Sequence, residues 1–331
     1  MSSLESCEVC SAPASKQCAK CGAVHYCSRE CQVAGWPSHK LTCSSLVEVK
    51  AIAGSGLGLF ARQACEVGAC LVREKPLFVN RSSGWASAST QEEAESMAFQ
   101  QASAQIPLLP ATLKAAVMDL ADVHSSPDGS KTPAGIARTN MIPLAGTGDG
   151  ALFALSARIN HSCLPNARWC WREDKGCLHI FAMRPLKAGE QITVAYSKRY
   201  ARRTARLKLL QEQFRFVCTC SLCSEPVEGT CDRMEQIQDA IDRMPDACAR
   251  GDMAAALELS ERTMKLLVEG GLDTPVAMGT CHYEAYQLAR ALGDRPKAIR
   301  HLVQAHELTK LSDGSDSPLA LQYGRLVESL A

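Results

Sequence analysis

The 331-residue chain has no excess of charge of either sign: 36 Lys and Arg oppose 35 Asp and Glu, for a net charge of +1. A near-neutral chain has no long-range field to draw it onto nucleic acid, so that class of partner is disfavoured. It also lacks an apolar run of the roughly 20 residues needed to cross a bilayer. The opening residues, Met1 to Cys7, have neither the basic nor the apolar region of a secretory signal. These absences set the expectation of a soluble protein of the cytoplasm or nucleus, without a membrane partner. The glycine-rich turn around Gly54, Gly56 and Gly58 has no Gly-Lys-Ser/Thr after it, which excludes a phosphate-binding loop.

What the chain does have is cysteine, 18 in all. Without a secretory signal, metal binding is a better reading than disulfides. The ordered series Cys7, Cys10, Cys18, Cys21, Cys27, Cys31, His39, Cys43 runs CxxC, CxxC, CxxxC, HxxxC. A CxxC pair turns two thiolates toward one ion, and the longer spacings place both ligands one helical turn apart. Eight ligands make two closed tetrahedral sites, which are structural because no position remains for water or substrate. His25 falls outside the pattern and reads as a surface residue. The segment is too short for a hydrophobic core of its own, so zinc should supply most of its folding energy.

The other feature that no helix or strand rule asks for is Asn160-His161-Ser162-Cys163-Leu164-Pro165-Asn166. Alone, such a string reads as a buried turn whose side chains bond back into the fold. It has company: Gly56-Leu57-Gly58 upstream, and downstream Gly189-Glu190-Gln191-Ile192-Thr193-Val194-Ala195-Tyr196 and then Cys218, Cys220 and Cys223. In this order the pieces resemble a SET-domain protein lysine methyltransferase. With the N-terminal cysteines the chain resembles the SET and MYND (SMYD-like) family, over residues 7–223.

The resemblance implies an α+β fold: a MYND zinc finger at 1–46, the SET domain's N-terminal part at 47–80, a helical insert at 81–150, and its catalytic part at 151–200. A post-SET zinc region at 201–230 and a tetratricopeptide-like helical domain at 231–331 would complete it. In the finger, Cys7, Cys10, Cys27 and Cys31 would hold one ion, and Cys18, Cys21, His39 and Cys43 the other. Cys163 would join Cys218, Cys220 and Cys223 around a third, with Cys231 the alternative fourth ligand. S-adenosylmethionine would meet Gly56, Leu57, Gly58, Asn160, His161, Tyr196 and Phe216, in a pseudoknot made by residues 160–166 and 189–196. Tyr196 would be the catalytic tyrosine and Phe214 a wall of the lysine channel. The null role of both phenylalanines is ordinary core.

The implied activity is methyl transfer from S-adenosylmethionine to a lysine of a histone or other protein. The finger would bind a proline-containing peptide, and the protein would be a monomer. Two departures stand out. In animal members the finger interrupts the SET domain, whereas here it precedes it, and no basic residue stands inside the glycine loop. A non-catalytic adaptor with a degenerate SET core is therefore the alternative.

Elsewhere the reading is local. Val47–Lys50 and residues 71–78 read as strands, 92–105 and 111–124 as helices, and 125–135 as a loop. The basic run Lys198, Arg199, Arg202, Arg203, Arg206, Lys208 reads as a solvated helix face. Residues 253–269, 276–292, 296–311 and 318–330 carry helical periodicity, with Gly293-Asp294 as a turn.

Overall fold

The computed structural model describes residues 5–21, 24–126, 128–224 and 229–330. The finger opens with two-residue strands, β1 (Glu5–Ser6) paired with β2 (Pro13–Ala14) and β3 (Lys16–Gln17) with β4 (His25–Tyr26), followed by helix α1 (Arg29–His39). Ser28 caps α1, its Oγ accepting from the Cys31 N–H at 3.2 Å. That cap starts the helix after Cys27, and the helix ends before Cys43. Each ligand pair therefore straddles a helix end, where the spacing predicts two positions within one helix. The buried hydrophobic cluster of this unit is Cys7, Ala14, Cys18, Cys21, Tyr26 and Cys43, and the polar His39 is buried as well. Two-thirds of that core is metal-binding side chains.

The SET portion begins with a hairpin, β5 (Val47–Ile52) against β6 (Gly56–Ala61), in register from Val47 opposite Ala61 to Ile52 opposite Gly56. The glycine motif thus lies within the strand rather than before it. Gly54 and Gly56 have φ of +73° and +71°, a region closed to most L-residues, and make the turn. A three-stranded sheet follows, ordered β12 (Ala167–Arg172), β13 (Cys177–Ala182), β7 (Cys70–Glu74), all antiparallel. A second sheet is ordered β8 (Phe78–Asn80), β10 (Gly150–Leu152), β9 (Ile142–Pro143). Leu59, Leu71, Val72, Phe153, Leu178 and Ile180 fill the core between them.

The insert contributes α2 (Gln91–Gln105), α3 (Ala111–Met118) and α4 (Pro133–Asn140), packed over Leu77, Phe78 and Leu152. Helix α3 stops six residues before the predicted end. The Lys131 ammonium donates to the carbonyls of Met118 and Leu120 at 3.2 and 2.8 Å, and an Asp122 turn accepts from the His124 N–H. The predicted loop 125–135 runs directly into α4: Thr132 accepts from the Gly135 N–H at 3.0 Å and Pro133 takes the first helical position.

Strands β11 (Asn160–His161) and β14 (Thr193–Val194) pair in parallel, Asn160 opposite Thr193. Asn166 locks the crossing: its amide donates to the Gln191 carbonyl at 2.8 Å and its oxygen accepts from the Thr193 N–H at 2.8 Å. Helix α5 (Arg203–Phe214) and the short α6 (Ser221–Ser224) lead out of the domain.

Five helices close the chain: α7 (Thr230–Ala249), α8 (Met253–Glu269), α9 (Pro275–Ala291), α10 (Arg295–Asp313) and α11 (Pro318–Leu330). Small buried residues, among them Ala256, Ala285, Ala289, Ala298 and Ala305, allow close helix approach. This unit is clamped to the sheet. Arg172, 2% exposed, donates to both Asp174 carboxylate oxygens and to the Asp316 carboxylate and carbonyl, all at 2.8–2.9 Å.

Candidate active site and zinc centres

Three groups of side chains bring their ligand atoms within 4.8 Å of one another: Cys7, Cys10, Cys27, Cys31; Cys18, Cys21, His39, Cys43; and Cys163, Cys218, Cys220, Cys223. Cys10 and Cys27 sulfurs are 3.4 Å apart, those of Cys18 and Cys43 3.7 Å, and those of Cys163 and Cys223 3.6 Å. Nε2 of His39 is 3.5 Å from the Cys21 sulfur. Four thiolates on one zinc ion lie about 3.8 Å apart, so donor type, number and spacing all fit tetrahedral zinc. Cys231 and His25 stand in none of the groups. Crowding splits the thiols of the third group: Cys163 is pushed far up by its hydrogen bond to Cys218, while the bond to Cys163 drives Cys220 far down. A divalent cation removes that conflict.

His161 joins the third group to the pseudoknot. Its Nδ1 accepts from the Tyr196 N–H at 2.9 Å, which leaves the proton on Nε2, facing the Cys163 sulfur at 3.3 Å. Burial holds its imidazole down to about 4, neutral at ordinary pH. Both ring nitrogens are thus used inside the protein.

Tyr196 lies two residues beyond β14. Its hydroxyl donates to the Ile159 carbonyl at 2.7 Å. Burial raises its pKa above the usual tyrosine range, so it stays a neutral phenol. The Phe214 ring stands 4.7 Å from it, and the Phe216 ring 6.1 Å from His161. Between these two rings Arg215 takes a left-handed φ of 58°. That turn sends alternate rings to two different partners.

On the other side of the knot, Asn160 donates its amide to the Leu57 carbonyl at 3.2 Å. A Cβ on Gly58 would stand 2.4 Å from the Ile52 Cδ1 and 3.1 Å from both the Asn160 and Gln191 amide nitrogens, so any side chain there forces Ile52 and the two amides to move. Leu57 is 42% exposed and Asn160 and Phe216 are half-buried, so an apolar side chain, an amide and an aromatic ring remain accessible to a cofactor with a flat base and a polar tail.

A groove of about 620 Å³ reaches Tyr196 from the insert side. Ile159, Trp169 and Phe214 line it, together with residues of α2 and α4. Among the described residues its lining runs from Asn80 to Phe214. The C-terminal helices contribute none of its lining residues. They pack instead on Leu210, Tyr200 and the third cysteine group.

Residues 7–43 match the MYND finger family and residues 56–197 the SET domain family. The chain carries both a MYND finger and a SET domain. The histone-lysine N-methyltransferase set5 of Schizosaccharomyces pombe is 26% identical to the SET and MYND chain over 296 residues, 86% of this chain and 85% of its own length. The protein-lysine N-trimethyltransferase SMYD5 of Homo sapiens is 40% identical over 75 residues, and the chain spans only 18% of that relative. Among solved structures, the SET domain of LSMT bound to lysine and AdoHcy covers 90% of each chain at a TM-score of 0.39 and 10% identity. No described helix is long and apolar enough to cross a membrane.

Sequence reasoning missed two residues of the site region. Arg206, inside the run read as solvated, is 2% exposed and donates to the Ala201 carbonyl, and its charge is felt by His161. His124 bonds the Gln213 carbonyl through Nε2 at 2.9 Å, tying the insert to α5. Neither carries a sequence signal, because periodicity reports apolar faces and not where a long cation tucks in.

Proposed function

We propose that this chain is an S-adenosylmethionine-dependent protein-lysine N-methyltransferase built around three structural zinc ions. The observation that carries the reading is Tyr196, a neutral phenol that lines a groove of about 620 Å³ and whose backbone N–H is bonded to His161, the residue after Asn160. When bound, S-adenosylmethionine supplies the methyl group from its sulfonium. Gly56, Leu57, Gly58, Asn160, the His161 backbone and Phe216 would hold it.

The chain's own residues do the rest. The Tyr196 proton is committed to Ile159, so its oxygen is an acceptor and orients an amine rather than deprotonating it. An ammonium has no lone pair, and the walls of Ile159, Trp169 and Phe214 favour the neutral amine over a charge whose reference pKa is about 10.4. The zinc ions act only through position. Cys163 fixes the chain three residues after Asn160, and His161 carries that fixation to Tyr196.

The site residues named from the sequence and the six-part domain division belong to this reading. So do a proline-containing peptide at the finger, a monomeric state and a nuclear or cytoplasmic location. The test is incubation of the purified zinc-loaded protein with a protein extract and labelled S-adenosylmethionine. Label recovered as methyl-lysine is the expected result. Absence of both transfer and calorimetric cofactor binding would favour the adaptor.

A further inference from the structure

The groove walls carry charge that the protein itself leaves uncompensated. Among the described lining residues there is one cation, Arg138, and two carboxylates, Glu95 and Asp149. Asp149 is spoken for: Arg81 reaches it at 2.8 Å and the Ser82 N–H donates to its other oxygen at 2.8 Å. Glu95 accepts only from the neutral Gln91 amide at 3.0 Å, one helical turn back on α2. Arg138 has no ion-pair or hydrogen-bond partner among the described residues, and its charge is felt by the His124 imidazole.

These two charges stand on different helices, α2 and α4, which pack against each other. Gln91, Glu95 and Ala98 are spaced one helical face apart on α2, and the half-buried Trp85 lies in the turn before it. An indole face beside a free carboxylate suits a lysine or arginine side chain. Arg138, on α4, lines the groove together with Gln213 and Phe214, and the His124 bond to Gln213 ties the insert to α5. A guanidinium there suits a carboxylate. Tyr196 lines the same groove.

We infer that the groove takes a lysine flanked by residues of opposite charge, a cation against Trp85 and Glu95 and a carboxylate against Arg138, and selects against a uniformly basic tail. This rests on the lysine-methyltransferase reading and gives that site a substrate class. The uniformly basic tail loses because it would bring a second cation to Arg138, and a like-charge contact in a partly desolvated groove is unfavourable.

The test uses the full zinc-loaded chain and two fluorescein-labelled peptides of equal length with one central lysine. One carries a basic residue on one side and acidic residues on the other; the second is basic on both sides. Since the chain direction in the groove is open, the mixed peptide is made in both orders. Binding is read by anisotropy and methyl transfer by labelled cofactor. One mixed order should bind about tenfold more tightly than the basic peptide, a gain carried by KM with kcat little changed, as expected for two partly screened ion pairs. Arg138→Glu should reverse the preference, and Glu95→Lys should remove the contribution of the basic flank. Both positions are exposed, and a melting curve checks that each variant folds. Equal affinity for all peptides, or a preference for the basic one by the unmodified protein, overturns the inference. Discrimination in binding without methylation of any peptide would leave the groove's preference standing and defeat the enzyme reading instead.

Discussion

Tyr196→Phe removes one hydroxyl and almost no volume. The lost bond to Ile159 costs about 1 kcal/mol of stability. If the oxygen orients the amine, methyl transfer falls by about 10²-fold or more, the scale of one well-placed polar group. Zinc content and calorimetric cofactor affinity are unchanged. A variant that turns over normally would reduce Tyr196 to packing. At this scale much was legible: the text from Asn160 to Asn166 and the strand ending at Tyr196 pointed to the knot. What could not be read was ring direction. Spacing puts His161 two residues from Cys163, but only the fold turns Nδ1 to Tyr196 and Nε2 to the sulfur. Arg206 and Arg172 illustrate the same limit. A sequence shows a charge and not the pocket that encloses it.

Elements with strong periodicity emerged where the sequence put them; α8 and α11 match their predicted spans residue for residue. Two helices did not. Helix α4 begins inside the stretch 125–135 read as a loop, where Thr132-Pro133 is a good helix start. Helix α7, with Pro245 in its interior, had no helical span read for it within the C-terminal domain. Helices α9 and α10 are joined by an unusual pair, His282 and His301, whose Nδ1 atoms meet at 2.9 Å. Burial, and then the His301 charge, hold His282 down to about 4, against an ordinary value of 6.5. Glu261, Lys297 and Arg300 face His301. A depressed histidine contributes stability that is fully present above pH 6.5 and is lost as pH falls toward 4. His282→Asn should therefore melt less steeply with acid than the unmodified protein, by about 2–4 °C between pH 7.5 and 5. Parallel melting curves at the two pH values would show it. Equal acid sensitivity would mean that the pair titrates alike in folded and unfolded chains.

The whole molecule is divided by zinc and joined by ion pairs. Metal analysis should find three zinc ions per chain, and two after Cys163→Ser, with cofactor binding lost alongside because His161 and Asn160 lose their anchor. Cys231→Ser should retain three; a loss there would return Cys231 to the ligand set. The arrangement of finger, SET domain and helices was readable because each has its own repeat of spacing, whereas the docking of the helices through Arg172 and Asp316 was not, since it depends on one pair 144 residues apart in sequence. The same separation governs the knot. Strand β6 is completed by residues near Gln191: the Ala61 N–H donates to the Glu190 carbonyl, and the Leu59 carbonyl accepts from the Ile192 N–H. A ribosome adding ~5–20 residues per second reaches those partners on the order of ten seconds after making β6. Until then the nascent hairpin has an open edge and the glycine strand has no floor. The growing chain therefore needs shelter for that interval, and the cofactor has nowhere to bind before residue 196 has left the exit tunnel.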